Sequence, residues 1–235
     1  MTITIPPYGS KIGISTNIGT SFAFLSNATV VEPNSAGEQA RVISTSTSDA
    51  SAGTGIRKVK IRYFDTSWGL NDEIVTTNGT TQVLTTATNI IRIESFEAFQ
   101  AGSGLLAVGT ITLTSTDGTR LFSQIDPSNT AFNRAVHTIS PGKRGYISDL
   151  ITNCETSGGI IFIIFREVDN TSSEGGIVII PDLAFTLASG TMPISLEQPI
   201  VCDAFQSTQG LKMGIAVRGL AASQIGSASF HFSEQ

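Results

Sequence analysis

The most regular signal along the chain is an alternation of apolar and polar residues with period two. In Arg57-Lys-Val-Lys-Ile-Arg-Tyr-Phe64, Val59, Ile61 and Tyr63 fall on one face and Lys58, Lys60 and Arg62 on the other. A strand with one side in a core and the other in water reads this way. Leu211-Lys-Met-Gly-Ile-Ala-Val-Arg218 repeats the pattern with Leu211, Met213, Ile215 and Val217 inward. Ser227-Ala-Ser-Phe-His-Phe232 places Ala228, Phe230 and Phe232 together. Asn78-Gly79, Asp117-Gly118, Ser140-Pro-Gly142, Ser157-Gly-Gly159, Glu174-Gly-Gly176 and Ala188-Ser-Gly190 punctuate these runs. They supply the positive or fixed φ that tight connections need. The best helical candidate is Asp126 to Val136, a turn of helix or plain loop, and Ser, Thr, Gly and β-branched residues elsewhere are weak helix formers. Many short strands with Gly/Pro turns predict an all-β chain, a sandwich or a barrel.

Two stretches break the alternation. Ile160-Ile-Phe-Ile-Ile-Phe165 and Ile177-Val-Ile-Ile180 are apolar on both faces, as in a strand covered from both sides. One face would look into a sandwich, and the other would be covered by a loop, a second domain or a neighbouring subunit. An exposed patch of this kind is an association site. Ile160, Phe162, Ile164, Ile177 and Ile179 are therefore candidate interface residues between identical copies. Residues 1–28 lack a clean strand pattern and carry Pro6-Pro7, Gly9, Gly13 and Gly19. They read as an extended N-terminal arm, able to span on the order of 90–100 Å. Such an arm lies over its own domain as a first strand or two, or crosses to a neighbour. Two β units would follow, 29–128 and 129–235, with no internal sequence repeat between them.

Composition narrows the function. Charged residues are 14% of the chain, against roughly 25% in an ordinary soluble domain. Ser and Thr account for 56 of the 235 residues, and the net charge is −5. An acidic chain whose densest basic run is Arg57-Lys58-x-Lys60-x-Arg62 does not suit an electrostatic nucleic-acid binder. The longest apolar run, Ile160 to Phe165, is far short of the ~20 residues a membrane helix needs. The start, Met1-Thr-Ile-Thr-Ile-Pro-Pro7, has no basic region followed by an apolar one, so no secretory signal is expected. Cys154 and Cys202 read as small buried hydrophobes rather than as a disulfide framework or a zinc site. The sequons at Asn27, Asn78 and Asn170 are expected by chance in so hydroxyl-rich a chain.

The inventory of reactive groups is thin. His137, in Ala135-Val-His-Thr-Ile-Ser140, and His231, between Phe230 and Phe232, read as surface or rim residues. There is no Gly-x-Ser-x-Gly elbow. Asp72-Glu73 reads as a solvated turn, and Glu94 and Glu97 differ in strand parity. Gly53-Thr-Gly55 and Gly102-Ser-Gly104 lack the third glycine of a dinucleotide loop. No enzyme, cofactor or metal site is expected.

Several segments resemble those of β-rich structural proteins from bacteriophage and other viral particles. They are Gly53-Thr-Gly-Ile-Arg-Lys-Val-Lys-Ile-Arg-Tyr-Phe-Asp65, Glu73-Ile-Val-Thr-Thr-Asn-Gly-Thr-Thr-Gln-Val83, Thr88-Asn-Ile-Ile-Arg-Ile93 and Gly102 to Ile111. Phe64 stands where Leu is usual in that group, and Thr77 where Leu usually precedes Asn-Gly. Val136-His-Thr-Ile-Ser-Pro-Gly-Lys-Arg-Gly-Tyr-Ile-Ser-Asp-Leu150 is similar to the opening of phage virion jelly rolls, with Ser140-Pro141 in place of Pro-Ala. Pro199-Ile-Val201 and the strand from Leu211 to Val217 fit the same layout. The resemblance covers residues 53–235. It implies a jelly-roll-like β-sandwich and a capsid cement, decoration or minor capsid protein. Such a protein would form a symmetric oligomer, a trimer, would bind the major capsid or other virion proteins, and would reside in the virion after assembly in the host cytoplasm. The alternative is a receptor- or glycan-binding head of a fibre or spike, for which Trp68 and Tyr63, beside Phe64, are the candidate contacts.

Overall fold

The computed structural model describes residues 8–167, 177–204 and 210–235. Its strands are β1 (Tyr8–Ile18), β2 (Ala23–Phe24), β3 (Ala40–Ser44), β4 (Ile56–Asp65), β5 (Leu70–Thr76), β6 (Val83–Leu84), β7 (Ile90–Ala101), β8 (Ile111–Ser115), β9 (Leu121–Ile125), β10 (Val136–Ile139), β11 (Arg144–Cys154), β12 (Ile160–Glu167), β13 (Ile177–Leu187), β14 (Gly190–Asp203), β15 (Leu211–Gly219) and β16 (Gln224–Glu234). The chain is all-β, with no helix among the described residues. It divides into two compact units: unit 2 is Ala28–Phe132, and unit 1 takes in the chain on either side of it.

Unit 1 is a sandwich of two antiparallel sheets. One has the order β1-β16-β11-β14, the other β10-β15-β12-β13. The alternation seen in the sequence sends Ile147, Leu150, Cys154, Ala228 and Phe230 from the first sheet, and Ile160, Phe162, Ile164, Met213, Ile215 and Val217 from the second, into one core. Opposite β15, β2 and β10 act as two halves of one strand. Ala23 and Phe24 pair with Val217 and Ala216, and Val136 to Ile139 pair with Gly214 to Leu211. Between the halves the chain leaves and returns through a paired neck, where Ser26 bridges Arg134 and the Asn27 N–H donates to the Asn133 carbonyl at 3.2 Å. Unit 2 is thus an insertion within a sheet position of unit 1.

Unit 2 has its own core between two sheets, β6-β3-β8-β9 and β5-β4-β7. Val42, Ile111, Leu113, Phe122 and Ile125 of the first meet Val59, Ile61, Val75, Ile93 and Phe96 of the second.

Three expectations are decided here. Residues 8–27, assigned to an arm, build β1 and β2 of unit 1, whereas residues 1–7 lie outside the described residues. The C-terminal unit is consequently discontinuous, and the insertion ends at Phe132 rather than at 128. Of the two readings of Asp126 to Val136 the loop holds: Asn129 N–H closes a turn on the Asp126 carbonyl at 3.1 Å, and the segment then enters β10. Pro127 inside that stretch fits the first turn position better than a helix interior.

Candidate interaction surfaces

The sequence pointed first to the doubly apolar strands. Ile160, Phe162 and Ile164 are at most 1% exposed and line the unit 1 core. They supply packing within one copy and present nothing to another. The opposite face of β12 is covered in part by the chain itself: Phe165 is fully buried against Val136, Ala216 and Phe24, whose ring stacks on it at 4.8 Å. Ile177 and Ile179 lie on β13, but their side chains fall outside the described residues.

The aromatic pair of the glycan reading is also split. Tyr63 is 8% exposed and belongs to the unit 2 core, where burial pushes its phenol up. Trp68 sits at the tip of the β4–β5 hairpin with φ at 59°. Asp65 builds that tip: its Oδ1 accepts the N–H groups of Ser67 and Gly69, both at 2.9 Å, and Asn71 Nδ2 donates to Oδ2. These bonds, that from Gly69 foremost, hold the Asp65 carboxyl below its ordinary range. The half-buried indole is then engaged by the Phe64 ring at 5.9 Å and by the Arg92 guanidinium 5.1 Å from its centroid. No bare platform of the two side chains results.

Two of the four cations of the basic strip are paired by their sheet neighbours. Lys60 pairs with Glu97 at 2.8 Å, and Arg62 forms a two-pronged pair with Asp72 at 2.8 and 3.0 Å. The Arg62 bond lowers the Asp72 carboxyl and raises the guanidinium. A register shift between Arg62 and Tyr63 breaks the regular parity at Glu94, and the Arg62 guanidinium feels the charge of Glu94 as well as that of Glu97. Glu73 caps the Thr86 and Ala87 N–H groups.

The two histidines part company. His231 is exposed and bonds Asp149 at 2.5 Å. Burial alone would raise the Asp149 carboxyl, but the bonds from His231 and Ser148 outweigh it and leave it lowered. His137 is not a surface residue. It is 7% exposed, stacks on Phe232 at 3.7 Å and bonds Glu234 Oε1 at 2.8 Å, while Ser140 donates to Oε2 at 3.2 Å. Ser140 and His137 both address the carboxylate rather than each other, so the trio ties β16 of one sheet to β10 of the other and does not form a nucleophile–base relay. Cys154 and Cys202 are free thiols in the unit 1 core. Among the described residues no three His, Cys, Asp or Glu side chains gather as a metal site.

The paired glycine motifs have a packing role. Gly102 and Gly104 N–H groups donate to the Gly55 and Thr54 carbonyls at 2.7 and 2.8 Å, and a Cβ on Gly102 would lie 2.3 Å from the Gly53 carbonyl oxygen. Two backbones pass there too closely for a side chain.

What sequence reasoning missed is the outer face of the β1-β16-β11-β14 sheet. Ile12 is 50% exposed and Ile151 46%. The first lies in the segment read as an arm, and the second is the lone aliphatic side chain on its side of β11, between Asp149 and Asn153.

No protein-family profile matches the chain, and no curated protein matches its sequence. Solved structures similar to it are of infectious bursal disease virus. That of the Gx strain is 12% identical, covering 94% of this chain and 57% of that one, with a TM-score of 0.25. That of the Gt strain is 12% identical, covering 100% and 73%, at 0.21. The VP2 subviral particle is 10% identical, covering 97% and 71%, at 0.22. The chain thus spans little more than half the length of the first of these, and at such TM-scores the likeness bears on neither fold nor function.

Proposed function

We propose that this chain is a virion structural protein, a capsid cement, decoration or minor capsid component that works by self-association and by binding the shell. The observation that carries the reading is the strand order of unit 1. With β2 and β10 counted as one interrupted strand, the described residues of unit 1 form two sheets of four, and along the chain the strands alternate between sheets except at the β12–β13 hairpin. That order supports a jelly roll with a β unit inserted near its start, the architecture that the resemblance of residues 136–150 implies. Jelly rolls serve viral shells and also lectins and cupins, so architecture alone is an analogy. The surface favours the shell. Much of its sparse charge is already paired, as in Lys60–Glu97, Arg62–Asp72 and Arg144–Asp203. A hydroxyl-rich exterior of this kind packs against neighbours with little ion desolvation.

The work done is binding. Area buried between copies, and between this protein and the major shell protein, would oppose shell expansion; the symmetric order expected is a trimer. The test compares particles assembled with and without this protein under heating and in low salt. Shells lacking it are expected to open at lower temperature. Shells of unchanged stability would overturn the cement role.

A further inference from the structure

We propose that a second copy of this chain docks face to face on the outer side of the β1-β16-β11-β14 sheet; this rests on the self-association reading above and names its surface. Pairing register lays three rows of side chains across that side. The middle row is Ile12, Ser229, Ile151 and Pro193. Below it lie Ile14, Ser227, Asn153 and Thr191; above it lie Ser10, His231, Asp149 and Ser195. The inward positions between them, Ala228, Phe230 and Leu150, are buried in the core, so these rows point the other way.

The chemistry of the rows is that of an interface and not of a solvated face. The middle and lower rows carry no ionisable side chain. The exposed isoleucines Ile12, Ile14 and Ile151, at 50, 37 and 46%, fall in those two rows. Charge is confined to the rim: His231 with Asp149 on one side, and Glu155, which accepts from Asn153 at 3.3 Å, on the other. An apolar centre depleted of charge within a polar rim is the anatomy of a protein–protein contact.

A second copy fits this face for two reasons. A two-fold axis along the middle row lays Ile12 on Ile12 and Ile151 on Ile151, and it sets the His231–Asp149 row of each copy over the uncharged Ser227–Asn153 row of the other, so no like charges are opposed. The face is also large enough. Four strands of about 11 residues, at ~3.4 Å per residue and ~4.8 Å between strands, give roughly 700 Å² before side-chain relief is counted, near the ~800 Å² per partner of a standard stable interface. Such an isologous pair can join trimers as readily as monomers.

The test measures oligomeric mass across a concentration series for the full chain, for Ile151→Glu and Ser229→Arg, and for Leu105→Glu as a control in unit 2, where Leu105 is 70% exposed. Circular dichroism checks that each variant is folded. Both face variants are expected to weaken association at least tenfold, with the control unchanged. If the wild type associates and both folded face variants associate equally well, this face is wrong and the self-association reading survives. A wild type that stays monomeric at every concentration overturns both. Should a charge at 151 or 229 unfold the chain, pyrene attached at Ser229→Cys reads the same contact, since the native cysteines are buried. Excimer emission in the associated sample supports the pairing, and its absence overturns it.

Discussion

Asp49 is the side chain on which most of unit 2's loop structure converges. It is fully buried, and its two oxygens accept four hydrogen bonds: Ser44 Oγ at 2.7 Å and Gly109 N–H at 2.8 Å on Oδ2, Ile56 N–H at 2.9 Å and Val108 N–H at 3.1 Å on Oδ1. One residue thereby joins the end of β3, the start of β4 and the approach to β8. Sequence reading passed it over, because an Asp in Ser-Thr-Ser-Asp-Ala-Ser looks like any solvated loop acid; what distinguishes it is the set of donors brought from 7 and about 60 residues away. Removing the carboxylate leaves three backbone N–H groups without their acceptor, and orphaned buried donors cost about 1–3 kcal/mol each. Asp49→Ala is therefore expected to destabilise unit 2 by roughly 3–5 kcal/mol in urea unfolding. Asp49→Asn keeps one acceptor oxygen and is expected to lose less. A loss under about 1 kcal/mol for the alanine variant would mean that water replaces the carboxylate there.

Strands were legible where side chains carried the alternation and illegible where glycine did. β4 and β16 follow the period-two pattern over most of their length, whereas β15, read from its alternation as having one face in water, is buried on both, Lys212 and Ala216 included. β1, equally long, was read as an arm because two of its inward positions are Gly9 and Gly13. Their absent side chains are the reason the strand fits. A Cβ on Gly13 would stand 2.4 Å from the Leu25 carbonyl oxygen and 2.7 Å from the Ala135 nitrogen, at the neck where β2 hands over to β10. One on Gly9 would meet the Phe232 ring at 2.4 Å. Ile160, Phe162 and Ile164 were read as interface residues for the opposite reason. A run apolar on both faces shows that β12 is covered twice without saying which cover is foreign, and Phe24, hidden in the supposed arm, supplies one of them. Gly13→Ala is thus expected to cost about 1–3 kcal/mol, the range for overpacking. Gly19→Ala, with nothing within 4 Å of the added carbon, is the matched control and is expected to leave thermal unfolding in place. Equal melting temperatures for the two variants would show that β1 is held less tightly than its neighbours imply.

The insertion of one β unit into a strand of another makes the two cores separable. Unit 2 leaves and re-enters through residues already hydrogen-bonded across the neck: Asn27 N–H to the Asn133 carbonyl at 3.2 Å, and Ala135 N–H to the Leu25 carbonyl at 2.9 Å. The same neck is stitched to β15 by Leu25 N–H to the Ile215 carbonyl and Ile215 N–H to the Ala135 carbonyl. Closing the chain there adds only a short loop, whose entropic cost grows slowly with length. Each unit also keeps its large buried side chains on its own side, Phe162 and Phe230 in one, Phe96 and Phe122 in the other. Joining Asn27 to Asn133 through a short Gly/Ser linker is therefore expected to leave unit 1 cooperatively folded, and residues 28–132 expressed alone are expected to give a dispersed amide spectrum. The sheet face carrying Ile12 and Ile151 lies wholly in unit 1, so the shortened chain should associate as the full one does. Folded unit 1 that no longer associates would place the contact between copies in the inserted unit, and the exposed loop bearing Leu105, Leu106 and Val108 would be the first place to look for it.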